Sequence, residues 1–125
     1  MKNLKALVIS SLLVLSTGVL FAQMKSDVKP EGTWAFSAQD APYEYSTGDL
    51  VITREGKELK GEIVFSEYNK VKAYDMKLEN NVLTFKAYIE GEVINSKNTI
   101  TKDEMKGKVN YSEGTIEFTA KREKK

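Results

Sequence analysis

Apolar and polar residues alternate along most of the chain after residue 32. In the segment VLTFKAYI, for example, Leu83 and Phe85 fall on one side, and Thr84 and Lys86 fall on the other. Successive side chains of a β-strand point to opposite faces, so this period of two predicts strands with one buried face and one solvated face. Such strands are typical of an antiparallel sheet.

Short polar turns separate the alternating segments at the spacing of roughly 8–12 residues that is expected for strands linked by hairpins. The turns EGK, SEYN, ENN, EGE, TKD and SEG, with a longer break at residues 39–49, give seven connections and therefore eight strands. Because the links have nearly constant length, we predict an all-β, eight-stranded antiparallel up-and-down meander. Closure into a barrel would leave no exposed strand edge. A two-sheet β-sandwich is the alternative.

The segment ELKGEIVFSE at residues 58–67 recurs as EMKGKVNYSE at residues 104–113. Both copies follow a tight turn, and both have a glycine two residues after a large inward-facing apolar residue. Glycine inside a strand usually marks a bend or a close approach of two backbones. We therefore interpret the repeat as part of a tightly curled sheet rather than as a paired binding site.

The first 22 residues have the layout of a secretory signal peptide. Lys2 and Lys5 precede a long apolar run, and cleavage is predicted between Ala22 and Gln23. An uncleaved membrane anchor is the alternative, because the apolar run is at the lower limit of a membrane span. We expect export to the periplasm or secretion, without membrane attachment after cleavage. The predicted regions are a signal peptide at 1–22, a flexible lead-in at 23–31 and a single β-barrel domain at 32–125.

Composition excludes several kinds of chemistry. The chain has no His and no Cys, so the commonest general base, thiol nucleophiles and zinc sites built on these residues are missing. Loss of Lys2 and Lys5 reduces the 19 basic residues to 17 against 18 acidic residues, and a net charge of −1 gives no electrostatic basis for binding nucleic acid. We interpret the carboxylate pairs as solvated surface residues, and we predict a non-enzymatic protein without a metal or cofactor.

Several polar residues fall on the inward side of the predicted strands. An apolar interior with a few converging polar groups is the usual composition of a small-molecule pocket. An eight-stranded barrel either holds one small ligand or is filled by its own side chains, so a filled core is the alternative. The candidate ligand-binding residues of the lumen are Trp34, Tyr74, Phe85, Ser96, Asn98, Tyr111 and Arg122.

The connection QDAPYEYSTGD at residues 39–49 is the only long one predicted. Long loops in compact domains are often functional. Tyr43 and Tyr45 are spaced to lie on one side of an extended segment that Pro42 stiffens, and exposed tyrosines suit protein or carbohydrate partners. The alternative is a lid that folds over one barrel mouth with its tyrosine rings packed.

A first strand that begins GTW at Gly32 and a last strand that ends FTAKRE resemble the ends of calycin-type barrels, the lipocalins and avidins. In those families a tryptophan on the first strand closes the barrel floor and stacks on a basic side chain near the chain end. The resemblance implies a cation–π contact between Trp34 and Arg122.

The chain is also similar to a class of small exported bacterial domains that carry a first G-x-W and turns such as GKELKG, NNVLTF and DEMKG. This resemblance covers residues 32–121 and implies no common chemistry.

Two functions are compatible with these features. The first is an exported, non-enzymatic β-barrel that binds a small apolar or amphipathic ligand in its lumen. The second is a protein-interaction module, such as an inhibitor or accessory protein, that uses the 39–49 loop and has a fully packed core. The sequence leaves the ligand, the partner and the oligomeric state open.

Overall fold

The computed structural model describes residues 28–124, which form eight strands and one turn of 3-10 helix, Tyr43–Tyr45. The predicted signal peptide at 1–22 and residues 23–27 of the lead-in lie outside the described residues. The strands are β1 (Gly32–Ser37), β2 (Thr47–Glu55), β3 (Glu58–Ser66), β4 (Asn69–Glu79), β5 (Val82–Ile89), β6 (Glu92–Ile100), β7 (Glu104–Tyr111) and β8 (Gly114–Arg122).

Each strand pairs antiparallel with the next one along the chain, and β1 pairs with β8 to close a barrel. Trp34 lies opposite Arg122 in this closing pair. The predicted meander barrel is therefore confirmed, and the sandwich alternative is excluded. Within residues 28–124, no helix has the length and apolar character needed to cross a membrane.

The barrel has two ends, which differ in how they are covered. The upper end carries the β1–β2 loop at residues 38–46 and the short turns at 67–68, 90–91 and 112–113. The lower end carries the other three turns and both ends of the described chain. Because every second hairpin of a meander returns to the same end, the sequence order alone assigns each turn to one end.

Inward-facing side chains form one continuous core, as the alternation of the sequence predicts. Buried residues occur on all the strands, among them Trp34 on β1, Leu50 on β2, Leu83 on β5 and Met105 on β7, while their chain neighbours on the outer face are more exposed. Burial of this apolar surface is the main stabilising contribution to a barrel of this size.

The predicted inward position of Tyr74 on β4 is wrong. A β-bulge interrupts the pairing of β4 with β5 between Tyr74 and Lys77, and Asp75 within it has a φ of 51°. A bulge places two residues of one strand opposite one of its neighbour, so the inward phase changes there. Ala73 and Met76 both point into the core, and Tyr74 lies on the outer surface with 41% of its area exposed.

The two glycines of the repeat give space to side chains of the neighbouring strand. Asn98 on β6 lies opposite Gly107 on β7, and a Cβ atom at Gly107 would lie 2.0 Å from the carbonyl oxygen of Lys97. At Gly61 on β3, a Cβ atom would lie 2.6 Å from the terminal methyl of Met76. The repeat therefore has a structural role at both places, through close approach of neighbouring strands.

Candidate functional site

A cavity of about 420 Å³ occupies the upper half of the lumen. Its walls are aromatic and aliphatic side chains from most of the strands. They include Phe36, Leu50, Ile63, Phe65, Phe85, Ile89, Ile94, Val109, Ile116 and Phe118. The interior is therefore incompletely filled by its own side chains at this end.

Four phenylalanines meet across the cavity. The ring of Phe36 stacks on that of Phe118 with centroids 5.4 Å apart, and its edge meets Phe65 at 5.9 Å. Phe118 in turn contacts Phe85 edge to face at 6.4 Å. Stacked and edge-to-face pairs fix the rings relative to one another, which gives the cavity a rigid aromatic wall.

The β1–β2 loop covers part of the cavity. Ala38, Ala41, Pro42 and Tyr45 of this loop belong to the cavity lining. The loop is held together from within, since the Ala38 N–H donates to the carbonyl of Ser46 over 2.7 Å. The loop therefore lies over the upper mouth as in the lid alternative, with the Tyr45 ring packed but the Tyr43 ring exposed.

Tyr45 fixes the loop to the barrel. Its ring meets Phe65 edge to face with centroids 4.9 Å apart, and its hydroxyl donates a hydrogen bond to the carboxylate of Glu90 on the β5–β6 turn. This hydrogen bond, with smaller contributions from desolvation and from the negative charges of Glu90 and Glu44, raises the pKa of Tyr45 to about 12. The phenol is thus a donor at every physiological pH.

Three carboxylates stand at the mouth of the cavity. Glu90 and Glu92 come from the β5–β6 hairpin, and Glu113 comes from the β7–β8 turn. The hydroxyl of Ser112 donates to the Glu92 carboxylate over 2.5 Å, which joins the two hairpins across the rim. Within residues 28–124, no three acidic side chains come close enough together to hold a metal ion.

The lower end of the lumen is closed by the predicted contact of Trp34 with Arg122. Trp34 is fully buried, and the guanidinium carbon lies 4.3 Å from the centroid of its ring. The indole N–H donates to the carbonyl of Pro30 over 2.9 Å. The cation–π contact implied by the resemblance to calycin-type barrels is confirmed, and it belongs to the floor of the barrel rather than to the cavity lining.

Arg122 also binds the chain segment that crosses the lower end. Its guanidinium donates to the carbonyls of Lys29 and Glu31, each over 2.7 Å, and to the carbonyl of Lys102 over 2.9 Å. The Asp103 carboxylate lies 3.8 Å away. One side chain therefore joins the first described residues, the β6–β7 turn and the last strand.

Ser96 and Asn98 face inward and are buried, but neither lines the cavity. The Asn98 amide donates to the Ser96 hydroxyl over 2.8 Å, and the Asn98 Oδ1 atom is buried without a hydrogen-bond partner among the described residues. The pair forms a polar layer between the cavity and the floor.

The structure thus separates the predicted lumen residues into distinct groups. Phe85 and Tyr111 line the cavity. Trp34 and Arg122 form the floor, Ser96 and Asn98 form the polar layer above it, and Tyr74 lies outside the barrel. Their roles in binding remain predictions.

The two loop tyrosines do not share one side of the loop. Because residues 43–45 form a turn of 3-10 helix rather than an extended segment, the two side chains point in different directions. Tyr45 packs on the barrel, while Tyr43 is 94% exposed. Tyr43 is therefore free to contact a partner, whereas Tyr45 is engaged with the cavity.

The acidic mouth is not among the sites predicted from the sequence. The segments EGE at residues 90–92 and SEG at 112–114 were interpreted only as turns. A signal was nevertheless present, because both turns belong to the same end of a meander and both contain glutamate. Turn order combined with turn composition would have predicted this rim.

A second concavity, of about 1260 Å³, lies along β2, β3 and β4 near the lower end. Five basic and five acidic side chains contribute to its lining, which also includes the misassigned Tyr74. The charged residues are Arg54, Lys57, Lys60, Lys72, Lys77, Glu55, Glu58, Glu62, Asp75 and Glu79. Mixed charges of this kind are typical of a solvated surface, so the upper lumen is the better candidate site.

Comparison of the chain with protein-family models, with curated proteins and with solved structures finds no match. Membership of the calycin-type barrels therefore stays a prediction.

Proposed function

We propose that the protein is a non-enzymatic β-barrel that binds one small apolar or amphipathic molecule in its upper lumen. The observation that carries this proposal is the cavity of about 420 Å³ between the four phenylalanines and the Tyr45 lid. Ligand pockets commonly measure about 300–1,000 Å³ and have mostly apolar walls with a few placed polar groups. The upper lumen meets both criteria.

Three further features of the protein support this proposal. The signal-peptide pattern of residues 1–22 supports export, which would place the barrel in the periplasm or outside the cell. The lack of His and Cys supports a binding role rather than a catalytic one. The meander order and the Trp34–Arg122 floor support a calycin-type barrel, a class in which lumen binding is the common use of the fold.

A protein-interaction module is the second candidate, and one observation favours it. Tyr43 on the lid and Tyr68 on the β3–β4 turn are 94% and 92% exposed, and both belong to the upper end. Exposed tyrosines are enriched at protein interfaces. A partner would then contact the lid from outside while the lumen stays empty.

Titration with N-phenylnaphthylamine, a small uncharged dye whose fluorescence rises in apolar surroundings, tests the proposal. The variant Val109→Trp places a large ring in the cavity, and the matched control Lys108→Trp places the same ring one residue earlier, on the outer face. We expect one saturable site in the wild type and in Lys108→Trp, and at least about tenfold weaker binding in Val109→Trp.

Thermal unfolding verifies that both variants are folded, and Ile94→Phe fills the same cavity from β6 if Val109→Trp does not fold. Equal dye binding by the wild type and the filled variants would overturn the proposal. A partner that is lost on Tyr43→Ala, in a protein that binds no dye, would favour the interaction module.

A further inference from the structure

The charged groups that line the upper lumen are all acidic. We infer that the ligand of this cavity is an amphipathic cation, with an apolar body among the phenylalanines and a positively charged head at the mouth. This inference rests on the proposed function, because it assigns a chemical class to the ligand of the same cavity.

Two of the three carboxylates, those of Glu90 and Glu92, are held in place at the rim by hydrogen bonds. The Tyr45 hydroxyl donates to Glu90 from the lid, and the Ser112 hydroxyl donates to Glu92 from the β7–β8 turn. A neutral donor orients a carboxylate without cancelling its charge. Glu90 and Glu92 therefore present oriented negative charge where the apolar walls end, and Glu113 adds a third carboxylate to the same lining.

No ion pair neutralises these carboxylates in the part of the chain that the structure describes. The ion pairs there are Arg54–Glu31, Lys86–Asp75 and Arg122–Asp103, and none of them involves a carboxylate of the mouth. A cleft that is lined by one sign of charge and has apolar walls focuses the electric field and concentrates ions of the opposite sign. A carboxylate ligand, such as a fatty acid, would meet like charges at the same place.

An organic cation fits this mouth better than a metal ion. The acidic side chains of residues 28–124 form no group that could hold a metal. Carboxylates that stand apart from one another can all attract the diffuse charge of an organic cation, but they cannot all contact one small metal ion. The rings of Tyr45 and Tyr111 also line the cavity beside the carboxylates. Aromatic faces attract quaternary ammonium groups through cation–π contacts.

Three probes, each with an unbranched chain of ten carbons, separate the contribution of the charged head group from that of the apolar body. Decyltrimethylammonium, decanol and decanoate are titrated by calorimetry below their micelle concentrations, at neutral pH and at two salt concentrations. We expect decyltrimethylammonium to bind at least about tenfold more tightly than decanoate, with decanol between them, and we expect added salt to reduce this preference.

Two variants with the same change in net charge test whether the carboxylates of the mouth cause the preference for the cation. Glu90→Gln/Glu92→Gln/Glu113→Gln neutralises the mouth, and the control Glu55→Gln/Glu58→Gln/Glu79→Gln neutralises three glutamates at the lower end. We expect the ratio of cation affinity to decanol affinity to fall by about tenfold in the mouth variant and to stay at the wild-type value in the control. Glu113→Gln alone makes the same test with a smaller change if the triple variant does not fold.

The failures of the two proposals are distinguishable. Binding of all three probes with equal affinity, or tightest binding of decanoate, would overturn the inference and leave the lumen-binding function intact. An equal loss of cation preference in the lower-end control would also overturn the inference, because net charge rather than the mouth would then be responsible. If none of the three probes binds while N-phenylnaphthylamine still binds in the lumen, the inference alone is overturned. If neither the probes nor the dye binds, the proposed function fails and the inference fails with it.

Discussion

The guanidinium of Arg122, on the last strand, lies 4.3 Å from the ring centroid of Trp34, on the first strand. The same two residues are register partners where β1 and β8 close the barrel. Arg122 also donates three hydrogen bonds to backbone carbonyls of the segments that cover the lower end. Arg122 therefore contributes both to the closing strand pair and to the floor.

Replacement of Arg122 by Met is expected to lower the free energy of unfolding by about 2–3 kcal/mol, because the cation–π contact and several charge-assisted hydrogen bonds are lost together. Arg122→Lys keeps a cation but not the planar set of donors, so its loss should be intermediate. Urea unfolding measures both changes.

Arg54→Met provides the control for the loss of one arginine. Arg54 is exposed and makes one ion pair, with Glu31, so its replacement should change stability by less than about 1 kcal/mol. Equal effects of the Arg54 and Arg122 replacements would contradict the role assigned to Arg122.

Gly107→Ala is expected to destabilise the barrel by about 1–3 kcal/mol. A Cβ atom there would lie 2.0 Å from the Lys97 carbonyl oxygen and 2.4 Å from Asn98 Oδ1, so β6 and β7 would have to move apart. Lys106→Ala, on the outer face of the same strand, is the control and should be nearly neutral. Because backbone atoms are involved, Asn98→Ala in addition should not restore stability; full restoration would show that only the side chain is crowded.

The stabilising contribution of Glu31 should depend on pH. The proximity of its own backbone N–H, with the Arg54 guanidinium 3.1 Å from its carboxylate, holds the pKa of Glu31 below its usual value of 4.5. A carboxyl group whose pKa is lower in the folded state than in the unfolded state stabilises the protein at pH values above the unfolded-state pKa. This contribution is lost as the pH falls through the folded-state pKa.

Glu31→Gln should therefore be less stable than the wild type at neutral pH, by no more than about 1 kcal/mol because the carboxylate is partly exposed. The difference should disappear in acid. Urea unfolding of both proteins at neutral pH and at about pH 3 measures it. A difference that is the same at both pH values would contradict the assignment.

The Tyr45–Glu90 hydrogen bond should give the opposite pH dependence. The pKa of Tyr45 is raised from 10.0 to about 12, chiefly by this hydrogen bond, so its stabilising contribution is fully present below pH 10 and is lost as the pH rises through about 12. Tyr45→Phe should accordingly melt at a lower temperature than the wild type at neutral pH, and the two curves should converge at alkaline pH. Tyr43→Phe, whose ring is exposed, should melt like the wild type throughout.

The alternation of apolar and polar residues was sufficient to predict the strands, their order and the closure of the barrel. The Tyr74 error arose because the bulge at Asp75 has a left-handed backbone without a glycine or proline in the sequence to indicate it. One extra residue in a strand reverses the inward and outward phases. Val71 and Ala73 face inward before the bulge and Met76 and Leu78 face inward after it, and the aromatic Tyr74 falls in the phase of the second pair although it lies before the bulge.

The position of the cavity could not be predicted from the sequence, for a different reason. Ser96 and Asn98 were placed correctly on the inward face, but whether they meet empty space depends on the strand opposite. There, Gly107 provides the room that Asn98 occupies. The unfilled volume lies one layer higher, where the phenylalanines pack against one another rather than into the remaining space.

Methyl NMR spectra of isoleucine-labelled protein, recorded with and without N-phenylnaphthylamine, test the central claim most directly. Ile63, Ile89, Ile94 and Ile116 line the cavity, whereas Ile52 and Ile100 are buried outside its lining. The aromatic dye should shift the methyl signals of the first group through its ring current and leave the second group in place. Unchanged spectra at saturating dye, or shifts confined to residues outside the upper lumen, would contradict lumen binding.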